Sequence, residues 1–168
     1  MSYKTLLVHL DDSDRCATRV DLALQLAGRW NAHLIGLYLV CQDLLEPLRR
    51  PDEPLKLAVY ERLCDQRRKE AEERFLTAAE RAGRSVEWQA PAGNAIDAAI
   101  LHARHADLLV LGQEDPDDRM TYVARHFVED VVIGSGRPAI VVPYAGDVRT
   151  FGENVLIGWD GGREAARA

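Results

Sequence analysis

Thr5-Leu6-Leu7-Val8-His9-Leu10-Asp11-Asp12-Ser13 is an apolar, strand-compatible run that stops on two carboxylates and a hydroxyl. Ser13 suits the N-cap of a helix, since its oxygen can accept from the free N–H groups of a first turn. Behind it Cys16, Val20, Ala23, Leu24 and Ala27 recur at helical spacing. Asn31 can take the left-handed conformation that ends such a helix. The opening therefore reads as a strand followed at once by a helix. A carboxylate at the end of a strand in that setting is either a ligand contact or a charge favoured by the helix dipole, and Asp11 stands in that place.

The same alternation continues along the chain. Residues 34–40 form a nearly continuous apolar run, as expected of a strand buried on both faces. A loop marked by Pro47, Pro51 and Pro54 leads into a long helical stretch over about residues 55–82. Its stripe carries Cys64, Ala71, Phe75, Ala78 and Ala82, and Gly83 stops it. Residues 85–90 read as a third, shorter strand. Gly93-Asn94 opens a helix with Ile96, Ala99, Ile100 and Ala103 facing inward, and residues 108–111 are a fourth strand ending at Gly112. An acidic loop then precedes a helix bearing Val123, Phe127, Val128, Val131 and Val132, which Gly134 is expected to close. Residues 139–142 are the fifth strand, closed by Pro143. Strands alternating with helices imply parallel pairing through right-handed crossovers. The expected fold is an α/β, Rossmann-like open sheet of five parallel strands with helices on both faces. Ligands of such sheets lie outside the carboxyl ends of the strands, where strand order reverses. That directs attention to Asp11, the Leu39-Val40 end and Gly112.

Composition narrows the function classes. The chain has 168 residues, 47% of them apolar and 29% charged, the mixture of an ordinary globular domain. No apolar run approaches the ~20 residues of a membrane span, and the first residues show no signal-peptide pattern, so a cytoplasmic location and no membrane partner are expected. A net charge of −6 argues against nucleic acid, which needs clustered cations. The densest basic run, Arg67-Arg68-Lys69, is followed by Glu70, Glu72 and Glu73 and reads as a solvated, salt-bridged helix face. Cys16, Cys41 and Cys64 form no CxxC pair and read as reduced thiols. His102 and His105 stand three apart on a helix with no third metal ligand evident, so no metal is expected.

Near the end, Val155-Leu156-Ile157-Gly158-Trp159-Asp160-Gly161-Gly162 repeats the pattern of residues 6–13: an apolar strand, an aspartate, small polar residues and the start of an Ala-containing helix. Residues 1–145 are thus read as one domain, and residues 146–168 as a linker with the truncated start of a second copy.

The order and spacing of several elements resemble the universal stress protein family in its tandem form. The elements are Asp11-Asp12-Ser13, Asn31-Ala32-His33-Leu34, Gly93-Asn94, the run Ala106-Asp107-Leu108-Leu109-Val110-Leu111-Gly112, and the run Arg137-Pro138-Ala139-Ile140-Val141-Val142-Pro143. The resemblance implies the strand order 3-2-1-4-5, with Asp11 and Gly112 adjacent at the carboxyl edge. It also implies that Asp11 meets a nucleoside, that Leu39 offers backbone groups to an adenine edge, and that domains or homodimers join through the fifth strand. Nucleotide-binding members carry G-x2-G-x9-G-[ST] after the fourth strand, where glycines let backbone N–H groups approach phosphate. Only Gly112 matches here. Asp115 replaces the second glycine, and Arg125-His126 replace the final pair. Gly134-Ser135 falls too far along the chain, at a helix end where the dipole repels anions. Glu114, Asp115, Asp117 and Asp118 add like charges, and two of these 4 Å apart repel by about 4 kcal/mol at an effective dielectric of ~20. An adenine nucleotide remains a candidate ligand, with ATP doubtful.

The expected function is that of a cytosolic, stress-response binding and regulatory module. The alternative is an ATP-binding or ATP-hydrolysing enzyme of the related fold. An ATP pyrophosphatase would need a Ser-Gly-Gly loop where Asp11-Asp12-Ser13-Asp14 stands. A phospho-acceptor domain would need an aspartate where strand three ends in Gln89-Ala90-Pro91. No set of nucleophile, base and orienting group is visible, so no catalytic residue is assigned.

Overall fold

A computed structural model describes residues 3–40, 54–115, 117, 126–148 and 151–162. Strand β1 (Thr5–Leu10) lies at the centre of a five-stranded sheet. β2 (His33–Tyr38) and then β3 (Val86–Gln89) lie on one side of it, and β4 (Leu108–Gly112) and β5 (Ala139–Val142) on the other. Every pairing is parallel, and Leu6 stands opposite both Leu34 and Leu108. The order β3-β2-β1-β4-β5 is the one the resemblance implies. The direction of growth reverses between β1 and β4, which places the crevice at their carboxyl ends.

Two layers of helices cover the sheet because successive strand residues face opposite ways. Leu6, Val8 and Leu10 of β1 join a core with α1 (Cys16–Trp30) and with Ala71, Phe75 and Ala79 of α2 (Pro54–Arg81). Leu7 joins Leu37, Leu109 and Leu111 in a second core beneath α3 (Ala95–Ala103) and α4 (Phe127–Ser135). Full burial of each large aliphatic side chain is worth about 1.5–3 kcal/mol, so the two cores tie both layers to β1. Asn94 caps α3 by accepting from the N–H groups of Ile96 and Asp97. Asn31 ends α1 in the left-handed conformation, at φ 50°.

Several local expectations are corrected. Ser13 caps no helix: α1 begins at Cys16, and the Ser13 hydroxyl donates backwards to Asp11. Strand β2 stops at Tyr38 rather than Val40. Gly134 does not close α4, which runs to Ser135 with Gly136 as its left-handed cap. A Cβ on Gly134 would stand 2.5 Å from Ile100 Cδ1, so its lack of a side chain serves the packing of α4 on α3. Arg67 does not serve a solvated helix face; it reaches back to Asp12 at 2.9 Å. Residues 155–159 belong to no strand. Cys41, Val123, Asp118, Arg125, Pro47 and Pro51 lie outside the described residues.

Candidate functional site

Asp11 follows β1 directly and Gly112 ends β4, and both line one cleft of about 800 Å³ at the carboxyl edge of the sheet. The sequence reading thus brings two of its three site residues together. What it misses is the residue between them. Arg19, one turn into α1, is buried and places Nη2 2.8 Å from Asp11 Oδ1. Its Nε donates to the backbone carbonyl of His9 at 2.6 Å. A Cβ on Gly112 would fall well inside van der Waals contact of Arg19 Nη1. Gly112 is therefore a glycine for the sake of an internal guanidinium as much as for any ligand.

Asp11 Oδ1 also accepts the Ser13 hydroxyl at 2.6 Å and the Ser13 N–H at 3.1 Å. Burial pushes this carboxyl up, but Arg19, His9 and the Ser13 bond together hold it down at about 2. His9 is buried beneath Phe127, with ring centroids 4.6 Å apart. Its Nε2 lies 3.2 Å from the Leu39 carbonyl, which can only accept, so the proton sits on Nε2. Burial drives the His9 pKa down to about 4, only partly opposed by Asp11. Its bare Nδ1 faces Asp11 Oδ2 at 3.9 Å. Oδ2 consequently keeps an acceptor direction that no described donor fills.

Leu39, the third expected site residue, stands beside this network rather than in the cleft lining. Its side chain is core, its N–H donates to Leu10 O at 3.1 Å, and its carbonyl takes the His9 bond. A carbonyl has two lone pairs, so one acceptor site remains.

The cleft is acidic. Among the described residues, Asp11, Asp14, Glu114, Asp115, Asp117 and Glu129 line it against two cations, Arg15 and Arg19. Arg19 is spent on Asp11. Arg15 Nη2 is held by the carbonyls of Pro143 at 3.1 Å and Gly146 at 2.9 Å, which staples the chain after β5 to the start of α1. His126 precedes α4 at φ 62° and leans 3.8 Å from Glu129. Among the described residues no cluster of His, Cys, Asp and Glu is placed to hold a metal ion.

One signal could have revealed Arg19. It lies three residues after Cys16 and one before Val20, on the inward stripe of α1, and an arginine there needs a buried carboxylate. Asp11 was the nearest available.

A sequence profile described as the universal stress protein family matches residues 2–141. The chain belongs to that family. Among solved structures, it is similar to the universal stress protein UspA from Lactobacillus plantarum, with 21% identity, a TM-score of 0.66, and coverage of 84% of this chain and 99% of that one. It is also similar to a universal stress protein from Archaeoglobus fulgidus in complex with dAMP: 18% identity, TM-score 0.55, coverage 84% and 99%. A third is a universal stress protein family member from Arabidopsis thaliana with AMP bound: 10% identity, TM-score 0.58, coverage 88% and 96%. No curated protein matches the chain. Among the described residues, no helix of this universal stress protein is long and apolar enough to cross a membrane.

Proposed function

We propose that this universal stress protein is a non-enzymatic, cytoplasmic regulatory module whose crevice accepts an adenine nucleoside or its monophosphate and holds ATP poorly. The carrying observation is the acidic cleft: among the described residues six carboxylates face two arginines, Arg19 paired with Asp11 and Arg15 held by two backbone carbonyls. Each phosphate added beyond the first brings charge of the sign that the cleft repels. The nucleoside end fits better. Asp11 Oδ2 can accept from a ribose hydroxyl, and Leu39 beside it can turn its remaining carbonyl lone pair to an amine. The dAMP and AMP found with two structural relatives agree with a one-phosphate ligand.

Among the described residues no strand lies beyond β5, which supports pairing with another copy or a second domain of the same family, and the pattern of residues 155–162 supports reading residues 146–168 as a linker and the start of such a repeat.

Calorimetry on the full chain with AMP and with Mg-ATP tests the ligand reading. AMP should bind, and Mg-ATP should bind at least about tenfold more weakly, a gap of ~1.4 kcal/mol. Tighter binding of Mg-ATP than of AMP, or release of phosphate from it, would overturn the proposal and favour the enzymatic alternative.

A further inference from the structure

Of the two cations that line the cleft among the described residues, only one is neutralised. Arg19 is paired with Asp11 at 2.8 Å. Arg15 spends its charge on uncharged groups: its Nη2 donates to the carbonyls of Pro143 at 3.1 Å and Gly146 at 2.9 Å. Its Nε is buried and has no hydrogen-bond partner among the described residues. Nε and Nη2 lie on the same edge of a guanidinium, the edge that takes two oxygens of a phosphate or carboxylate at once. In Arg15 that edge is half used. A buried donor left unpaired is costly, and an oxyanion would satisfy both nitrogens where the carbonyls satisfy one.

The two carbonyls belong to the segment that leaves β5. Residues 143–146 are exposed, and no backbone hydrogen bond among the described residues involves them. Val148, two residues further on, packs against the core shared with α1. Arg15 thus supplies the hydrogen bonds that draw residues 143–146 onto the start of α1. Tyr144, between the two carbonyls, lines the same cleft as Asp11 and Arg15. The segment is a wall of the cleft, and it holds the edge of the arginine that an anion in the cleft would seek. A phosphate brings opposite charge to that edge, which a carbonyl does not.

We propose that the Nε–Nη2 edge of Arg15 is the phosphate contact of the cleft, and that a nucleoside monophosphate taking this edge displaces the Pro143 and Gly146 carbonyls and frees residues 143–146 from α1. This rests on the reading of the cleft as a nucleoside monophosphate site. It gives the phosphate its partner and gives binding an effect outside the cleft, at the chain leaving β5.

Calorimetry and NMR relaxation on the full chain test the release with adenosine, AMP and the variants Arg15→Gln and Arg15→Lys. Arg15 is half-buried at the surface, and circular dichroism should show both variants folded. Without ligand, the backbone order parameters of Tyr144, Ala145 and Gly146 should lie near the ~0.85 of rigid backbone, and saturating AMP should lower them below ~0.6. Adenosine should bind and leave them high. Arg15→Gln should show the low values with no ligand, bind AMP at least about tenfold more weakly than the parent, and bind adenosine as the parent does. Arg15→Lys keeps the charge without the two-donor edge and should fall between the two in AMP affinity. Equal AMP affinity in the parent and Arg15→Gln overturns the contact. AMP binding that needs Arg15 while residues 144–146 stay rigid overturns the release and leaves the nucleotide reading intact. If neither adenosine nor AMP binds the parent, the nucleotide reading itself fails and the release falls with it.

Discussion

Asp11 and Asp12 are consecutive residues at the end of one strand, yet they belong to opposite electrostatic settings. Asp11 turns towards β4, where Arg19 and Ser13 meet it in the interior and hold its carboxyl at about 2. Asp12 turns towards β2 and α2, where Tyr38 OH donates to it at 3.2 Å and Arg67 and Arg74 lie at 2.9 and 3.7 Å. Burial nevertheless raises the Asp12 pKa, because Arg67 and the other partners only partly offset the lost water. Counting partners would rank the two sites alike. The difference is geometry: Arg19 is fixed by the His9 carbonyl and Gly112, whereas Arg74 is mostly exposed and acts through solvent.

The strongest way to break this contrast is to remove Arg19. Arg19→Leu keeps much of the apolar volume but leaves Asp11 charged, buried and unpaired. Breaking a buried pair from one side costs about 3–5 kcal/mol. Urea denaturation at neutral pH should show a loss of that order. A loss under ~1 kcal/mol would mean that the pair behaves like a surface contact, and the contrast with Asp12 would collapse.

Acid should produce the next largest effect, in two windows. The His9 pKa is lowered from 6.5 in an unfolded chain to about 4 in the fold. A depressed folded value gives stability that is present above the unfolded pKa and is lost as pH falls through the folded one. Between pH ~6.5 and ~4 the unfolded chain takes up a proton that the fold refuses, at a cost of about 3 kcal/mol. Asp11, lowered from 3.8 to about 2, adds a second loss below that range. Unfolding midpoints measured against pH should fall through both windows, and a His9→Gln variant should be flatter in the upper one. An identical slope in parent and variant there would show that His9 titrates normally.

The parallel sheet was legible because buried parallel strands are nearly continuous apolar runs separated by helical stripes, while the strand order came from the family resemblance. The caps at Asn31 and Asn94 were legible because each residue sits where only a special backbone or a short acceptor side chain fits. The site was half legible. Asp11 and Gly112 could be placed at carboxyl ends of strands by the α/β alternation, and side by side by the strand order that the family resemblance implies. Ser13 could not, since its hydroxyl could accept from the N–H groups of a helix start or donate to Asp11, and Asp11, two residues away, takes the bond. Arg19 was hidden because an arginine in a helix is usually a surface residue, and its partner became visible only once the α1 stripe was folded onto the end of β1. Residues 155–159 look like a strand by composition, but a strand needs a neighbour, and that information lies outside the segment.

The smallest expected effect sharpens the comparison most. Asp12→Asn keeps the shape of the side chain and an oxygen that can still accept from Tyr38 and Arg67. It removes a charge whose ionised form the fold disfavours, as the raised pKa indicates. A group with a raised folded pKa contributes its stability below the unfolded value and loses it as pH rises through the folded one, so at neutral pH the Asp12 charge is already a net cost. That direction already includes the Arg67 and Arg74 attractions, which offset the lost water in part. Asp12→Asn should change neutral-pH stability by less than ~1 kcal/mol in either direction, whereas Asp11→Asn, one residue earlier, should cost clearly more by leaving Arg19 without its counter-charge. Equal losses for the two variants in parallel urea titrations would mean that Asp12 is as tightly committed as Asp11 and that the two sides of β1 are alike.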